Sequence, residues 1–180
     1  MSLRAPHSCQ NSGNFNSTIN TYRSGELIDE RYKSNEEDAA HRIGKYGRAD
    51  DALGWKFLDE FSTLEDLYDF EYRYQLQIQD AEVVSKYEKV IFVDASHQQL
   101  EKGFSFYSWL PAPTSAFTTH QLNPETVLWL PEELFDYPPK GYVMAIGGIQ
   151  WKLHYGLSNQ AKRNFKDAVA YFKKGESSIV

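Results

Sequence analysis

Apolar and polar positions follow one another in a pattern that predicts alternating strands and helices from residue 44 onward. The clearest strand is Lys89 to Asp94, where the apolar run Val90-Ile91-Phe92-Val93 ends in a carboxylate. An unbroken apolar run is typical of a central strand that is covered on both faces. Further strands are predicted for Glu71 to Gln77, Gly103 to Leu110 and Tyr142 to Gln150.

Helices are predicted between these strands. Asp50 to Phe61 has apolar residues at helical spacing and acidic residues in its first turn, which suits the helix dipole. Asp80 and Asn123 are predicted N-caps, and proline follows Asn123 at the first helical position. Ser158 is predicted to cap a long final helix whose one face is apolar and whose other face carries Lys and Arg.

The chain divides into two regions by composition. Residues 1–43 form a polar N-terminal arm, in which a short strand is predicted at Thr18 to Tyr22. Residues 44–180 form the folded domain. Its alternating elements predict an α/β three-layer sandwich, with a twisted, mostly parallel sheet of about five strands and helices on both faces.

Charge and composition exclude several classes of function. A net charge of −6 over 180 residues argues against nucleic acid as a partner, because phosphate contacts need clustered Lys and Arg. No apolar run approaches the roughly 18 residues of a membrane span, and no secretory signal is recognisable, so we expect a cytoplasmic protein. Cys9 is the only cysteine, which excludes an internal disulfide. Gly44 and Gly47 lack the spacing of a nucleotide-binding loop, so no organic cofactor is predicted.

Three side chains are candidates for chemistry. In sheets of this class ligands bind beyond the carboxyl ends of the strands. Asp94 ends the strongest strand, Asp51 lies at the start of the first helix, and His120 lies shortly before the helix at Asn123. Two carboxylates and an imidazole suit a divalent first-row metal. Simpler interpretations stay open: Asp51 could interact only with its helix dipole, Asp94 could cap a turn, and His120 could be solvated.

Two neighbouring candidates have other interpretations. Asp50 is predicted to support or cap this region rather than to bind a metal. Ser158 does not belong to a G-x-S-x-G nucleophile motif, because the glycine after the serine is missing. An unrelated α/β hydrolase of small molecules is therefore the weakest of the hypotheses, because no independent nucleophile motif appears.

Four short segments resemble the motifs of hydrogenase maturation proteases, in the order in which that family has them. Gly44 to Gly54 resembles the family's G-N-x-x-R-x-D-D-x-x-G segment, and Val90 to Ala95 resembles its apolar strand that ends in Asp-Ala. Thr119 to Leu122 is similar to its histidine segment, and Gly156 to Ser158 matches its Gly-Leu-Ser step.

The resemblance implies an endopeptidase of the aspartic or metal-assisted type. Its metal-binding and catalytic residues would be Asp51, Asp94 and His120. The substrate would be the nickel-loaded precursor of a hydrogenase large subunit, whose C-terminal extension is removed. The nickel would arrive with this protein partner, and the protease itself is expected to be a monomer.

Two departures from the family pattern raise an alternative. The family has an apolar strand before its Gly-Asn pair, where this chain has the polar stretch Glu36 to Ile43, and Lys45 replaces the asparagine. Either the N-terminal arm supplies a replacement strand, which we favour, or the sheet lacks one. The alternative function is a non-cleaving homologue that senses nickel or docks on the precursor.

Overall fold

The computed structural model describes residues 18–22, 49–62, 68–113, 122–136, 139–152 and 155–179. The strands are β1 (Thr18–Tyr22), β2 (Tyr68–Glu71), β3 (Lys89–Ser96), β4 (Phe104–Trp109) and β5 (Lys140–Gly147). A 3-10 helix, Ala49–Ala52, leads directly into α1 (Leu53–Phe61), and the remaining helices are α2 (Asp80–Val84), α3 (Pro124–Phe135) and α4 (Asn159–Ile179). The predicted α/β class is confirmed.

The sheet is mixed, with the strand order β2-β1-β3-β5-β4. Only β3 and β5 pair in parallel; the other three pairings are antiparallel, so the prediction of a mostly parallel sheet is wrong. Connection length explains part of this result, because a parallel return needs a crossover of a dozen or more residues. Residues 97–103 between β3 and β4 are too few for one, whereas the longer connection from β3 to β5 contains α3.

The strand predicted at Thr18 to Tyr22 is confirmed, and it pairs with both β2 and β3. The N-terminal arm therefore supplies a strand beside β3, as we favoured. Its direction is antiparallel, with Thr18 opposite Val93 and Tyr22 opposite Lys89. The division of the chain at residue 43 stays a prediction, although one strand of the sheet comes from the arm.

Helices cover both faces of the sheet. Alternate residues of β3 belong to different cores: Ile91 and Val93 pack with α1 and α4, and Val90 and Phe92 pack with α2 and α3. This is the burial on both faces that the apolar run predicted. In the first of these cores, the ring centroids of Phe57 and Phe172 are 5.5 Å apart, so α1 and α4 contact each other directly.

Several local predictions can be compared with the structure. The N-caps are confirmed: the Thr126 amide donates to Asn123 Oδ1 (2.9 Å) and the Ala161 amide donates to Ser158 Oγ (3.1 Å). The predicted cap at Asp80 is wrong, since α2 begins at Asp80 itself and Gln79 is the capping residue. The predicted strand Glu71 to Gln77 is misplaced, because β2 ends at Glu71.

Asp80 and the segment after β2 serve a different structural purpose. The buried Asp80 carboxylate accepts hydrogen bonds from Arg73 Nε and from the Gln77 amide, both 2.8 Å long. Leu76, which is fully buried, forms an isolated bridge with Leu122. Among the helices that the structure describes, none is long and apolar enough to cross a membrane.

Candidate active site

Asp94 lies in β3 near its carboxyl end, in the region predicted for the site. Its exposed fraction is only 6%, which is exceptional for a carboxylate. Its Oδ1 accepts a hydrogen bond from the Ala95 amide at 2.8 Å. The site therefore contains one carboxylate that is almost completely withdrawn from water.

Asp51 is brought to Asp94 by close contact between α1 and β3. A methyl group built on Gly54 would lie 2.7 Å from the Val93 carbonyl oxygen and 3.3 Å from the Asp94 Cα. The first turn of α1 thus rests directly on the end of β3, at a distance that only glycine allows. Asp51, in the 3-10 helix just before this turn, is half-buried and acts electrostatically on Asp94.

The electrostatics of this pair are unfavourable to negative charge. Burial raises the pKa of Asp94 well above its ordinary value, and the neighbouring Asp51 carboxylate raises it further. The hydrogen bond from the Ala95 amide acts in the opposite direction but does not offset these two effects. Carboxyl groups with raised pKa values in such positions are frequent at functional sites, where a proton or a cation balances the charge.

Asp50, the residue next to Asp51, has a different environment. It is fully buried, and its Oδ2 accepts hydrogen bonds from the Ile149 amide (2.9 Å), the Gln150 amide (2.9 Å) and the Ser158 hydroxyl (2.7 Å). Its Oδ1 accepts one from the Ser158 amide at 2.7 Å. Burial alone would raise the pKa of Asp50, but these hydrogen bonds outweigh it and lower the pKa below the ordinary value. The predicted supporting role of Asp50 agrees with this geometry.

Sequence reasoning missed the partner of Asp50. Ser158 was identified only as a helix cap, yet its amide and hydroxyl both bind a carboxylate 108 residues earlier in the chain. The Gly-Leu-Ser step marked Ser158 as part of a motif, but it gave no sign that Asp50 is the partner of Ser158. Ile149 and Gln150, just after β5, and Ser158, just before α4, therefore border the site through Asp50.

His120, the third predicted site residue, lies outside the described residues, as do Gly44, Lys45 and Cys9. The described chain resumes at Leu122, whose amide donates to the Leu76 carbonyl at 3.0 Å. Within the described ranges no group of three His, Cys, Asp or Glu side chains could hold a metal ion. The structure thus brings Asp51 and Asp94 together and leaves the third predicted ligand untested.

The fold is similar to that of solved hydrogenase maturation proteins. The hydrogenase maturating endopeptidase HybD from E. coli matches with a TM-score of 0.51 and 18% identity, over 74% of this chain and 88% of that one. The [NiFe] hydrogenase maturation protease HycI from Thermococcus kodakarensis matches with a TM-score of 0.51 and 19% identity, over 72% and 85%. No family model and no curated protein matches the sequence. The chain therefore has the fold of the hydrogenase maturation proteases, which is the fold that its motifs implied.

Proposed function

We propose that this protein is an endopeptidase that removes the C-terminal extension of a nickel-loaded hydrogenase large-subunit precursor. The observation that carries the proposal is the pair of carboxylates, Asp51 and Asp94, gathered at the carboxyl end of the central strand. The similarity in fold to maturation endopeptidases of low sequence identity supports it. The order of the four sequence motifs adds independent support.

The proposed chemistry follows from the unfavourable negative charge of the Asp51 and Asp94 pair. A divalent cation beside Asp94 and Asp51 would offset both effects that raise the pKa of Asp94, which are burial and like-charge repulsion. We propose that the two carboxylates, with His120, bind the nickel of the precursor and so align its tail. Bound nickel would supply Lewis-acid polarisation of the scissile carbonyl. One of the carboxylates could then accept the proton of the attacking water as a general base.

The test is to incubate the purified protein with a nickel-loaded precursor and to follow the loss of the tail by mass spectrometry. We expect cleavage by the unmodified protein. Asp51→Ala, Asp94→Ala and His120→Ala should each reduce its rate about 100-fold or more, as expected when a group acting in the transition state is removed. Asp167→Ala removes an exposed carboxylate of α4 and should cleave normally. Normal cleavage by the Asp94 and His120 variants would exclude the proposal.

A second function deserves the same test, because the strand beside β3 comes from the polar arm and runs antiparallel to it. The family's motif implies an apolar strand leading directly into the glycine segment, and this chain departs from that pattern. A non-cleaving homologue would sense nickel or dock on the precursor. It would give a stable complex with an uncut precursor in size-exclusion chromatography, whereas an enzyme gives a shortened product.

A further inference from the structure

We propose that the buried Asp50 and the half-buried Ser158 form a positioning pair that fixes Asp51 beside Asp94. This inference rests on the proposed function for its activity measurement, but its structural measurement does not. The Asp50 carboxylate accepts its hydrogen bonds from Ile149, Gln150 and Ser158. It acts through Asp51, the next residue in the chain, and through the segment between β5 and α4.

The contacts of Asp50 connect three parts of the site. Its carboxylate binds the Ile149, Gln150 and Ser158 amides, and its own amide donates to the Gln150 carbonyl at 3.1 Å. The same segment is attached to β3, because the Gly148 amide donates to the Ser96 carbonyl at 2.9 Å. Two hydrogen bonds and the peptide bond between Gly148 and Ile149 therefore connect Asp50, the residue before Asp51, to Ser96, two residues after Asp94.

Packing around this connection leaves little freedom. A methyl group on Gly148 would lie 2.8 Å from the Asp50 Cβ, so the segment lies directly against the side chain. Ala49, just before Asp50, is buried and has a left-handed φ of 51°, a conformation that is costly for alanine. Such a conformation persists only where the surroundings impose it. The hydrogen bonds of the adjacent Asp50 provide a restraint of this kind.

Asp51 therefore lies between two fixed points. Just before it, Asp50 is hydrogen-bonded to Ile149, Gln150 and Ser158. Just after it, Gly54 lies close to the Val93 carbonyl oxygen. This arrangement explains how Asp51 can be held precisely although β1 runs in the opposite direction to β3. Site residues generally need placement within about 0.5 Å, which a 3-10 turn without such attachments does not provide.

Ser158 offers the sharper test of the pair, because its hydroxyl can be removed while its amide contact with Asp50 stays. It donates to Asp50 Oδ2 at 2.7 Å and accepts from the Ala161 amide at 3.1 Å, so it both holds Asp50 and caps α4. Ser158→Ala removes both contacts of the hydroxyl but leaves the Ser158 amide. Ser158→Thr keeps a hydroxyl and a good N-cap. Thr126→Val is the control, because it removes a hydroxyl that donates a hydrogen bond to Asn123, the N-cap of another helix, α3.

The experiment measures backbone amide chemical shifts by NMR and the kinetics of tail removal. In Ser158→Ala we expect displaced amide signals at Asp51 to Gly54 and a kcat lowered about tenfold with KM within about twofold, as for a loosened supporting contact. Ser158→Thr should restore both, and Thr126→Val should leave the Asp51 to Gly54 signals in place.

Two results would overturn the positioning role: Asp51 to Gly54 signals that stay unchanged in Ser158→Ala, or a Ser158→Thr variant as impaired as Ser158→Ala. If the unmodified protein cuts no precursor, the proposed function fails. The amide signals still decide the positioning role in that case, because they require no substrate.

Discussion

Asp50 and Asp94 are buried carboxylates at the same end of the sheet, and their surroundings shift their pKa values in opposite directions. Asp50 is surrounded by donors on both oxygens, and these hydrogen bonds lower its pKa despite burial. Burial and the charge of the Asp51 carboxylate raise the pKa of Asp94. The charge of Asp50 is therefore balanced by its neighbours, whereas the charge of Asp94 is opposed by its surroundings.

The contrast separates buried carboxylates whose charge is balanced by hydrogen bonds from one whose charge is not. Asp80, a third buried carboxylate, accepts hydrogen bonds from Arg73 and from the Gln77 amide. Of these three groups only Asp94 has its charge opposed by burial together with a like charge. Sites that bind or transfer charge are commonly less stable than their surroundings for this reason. Three substitutions can sharpen or break this comparison.

The largest effect is expected for Asp50→Ala. It leaves the Ile149, Gln150 and Ser158 amides without their acceptor inside the protein. We expect a loss of about 3–5 kcal/mol in the free energy of unfolding, the usual result of breaking a buried charged network. Urea denaturation at pH 7 measures it. Asp51→Ala, one residue along and only half-buried, should cost less than about 1 kcal/mol. Equal losses at the two positions would contradict the comparison.

A smaller effect is expected for Gly54→Ala, which tests the contact that brings the two carboxylates together. The added methyl group would lie 2.7 Å from the Val93 carbonyl oxygen, so α1 must move away from β3. Overpacking of this kind costs about 1–3 kcal/mol, and tail removal should slow because Asp51 moves with the helix. Gly175→Ala is the matched control, since nothing lies within 4 Å of its added methyl group. It should stabilise α4 by up to about 1 kcal/mol. A Gly54→Ala variant as stable as the control would contradict the close contact.

The α/β class could be predicted because local patterns encode it. The apolar run of β3, the Asn123 cap and the Ser158 cap each depend on a few neighbouring residues. Strand direction depends on the route of the chain, so the run Thr18–Tyr22 gave no sign that it pairs antiparallel with β3. A sequence pattern is equally compatible with both directions, and the sheet was wrongly predicted to be mostly parallel.

The candidate site, like the fold, could be predicted where local patterns define it and not where distant parts of the chain meet. Asp51 and Asp94 could be paired because each stands at the start or end of a recognisable element. The contact between Asp50 and Ser158 could not be predicted, because it joins residues 108 positions apart. Each of the two residues also had a sufficient local explanation as a residue at the end of a helix. The placement of His120 stays a prediction.

The smallest effect expected is a gain of stability in Asp94→Asn. A carboxyl group whose pKa is raised on folding loses stability as pH rises from its ordinary range through the folded pKa. Asparagine keeps an acceptor for the Ala95 amide and carries no charge, so it avoids this loss. We expect Asp94→Asn to exceed the unmodified protein by on the order of 1 kcal/mol at pH 8, or a few °C in Tm, with the difference shrinking toward pH 4.5. Thermal melts across this pH range measure the difference, with Asp167→Asn, at an exposed position, as a control that should show no such trend.

An Asp94→Asn variant that is less stable at pH 8, or a difference independent of pH, would contradict the conclusion that the surroundings of Asp94 disfavour its negative charge. The expected result, more stability together with lost cleavage, would separate the requirement for this carboxylate in function from any requirement in folding.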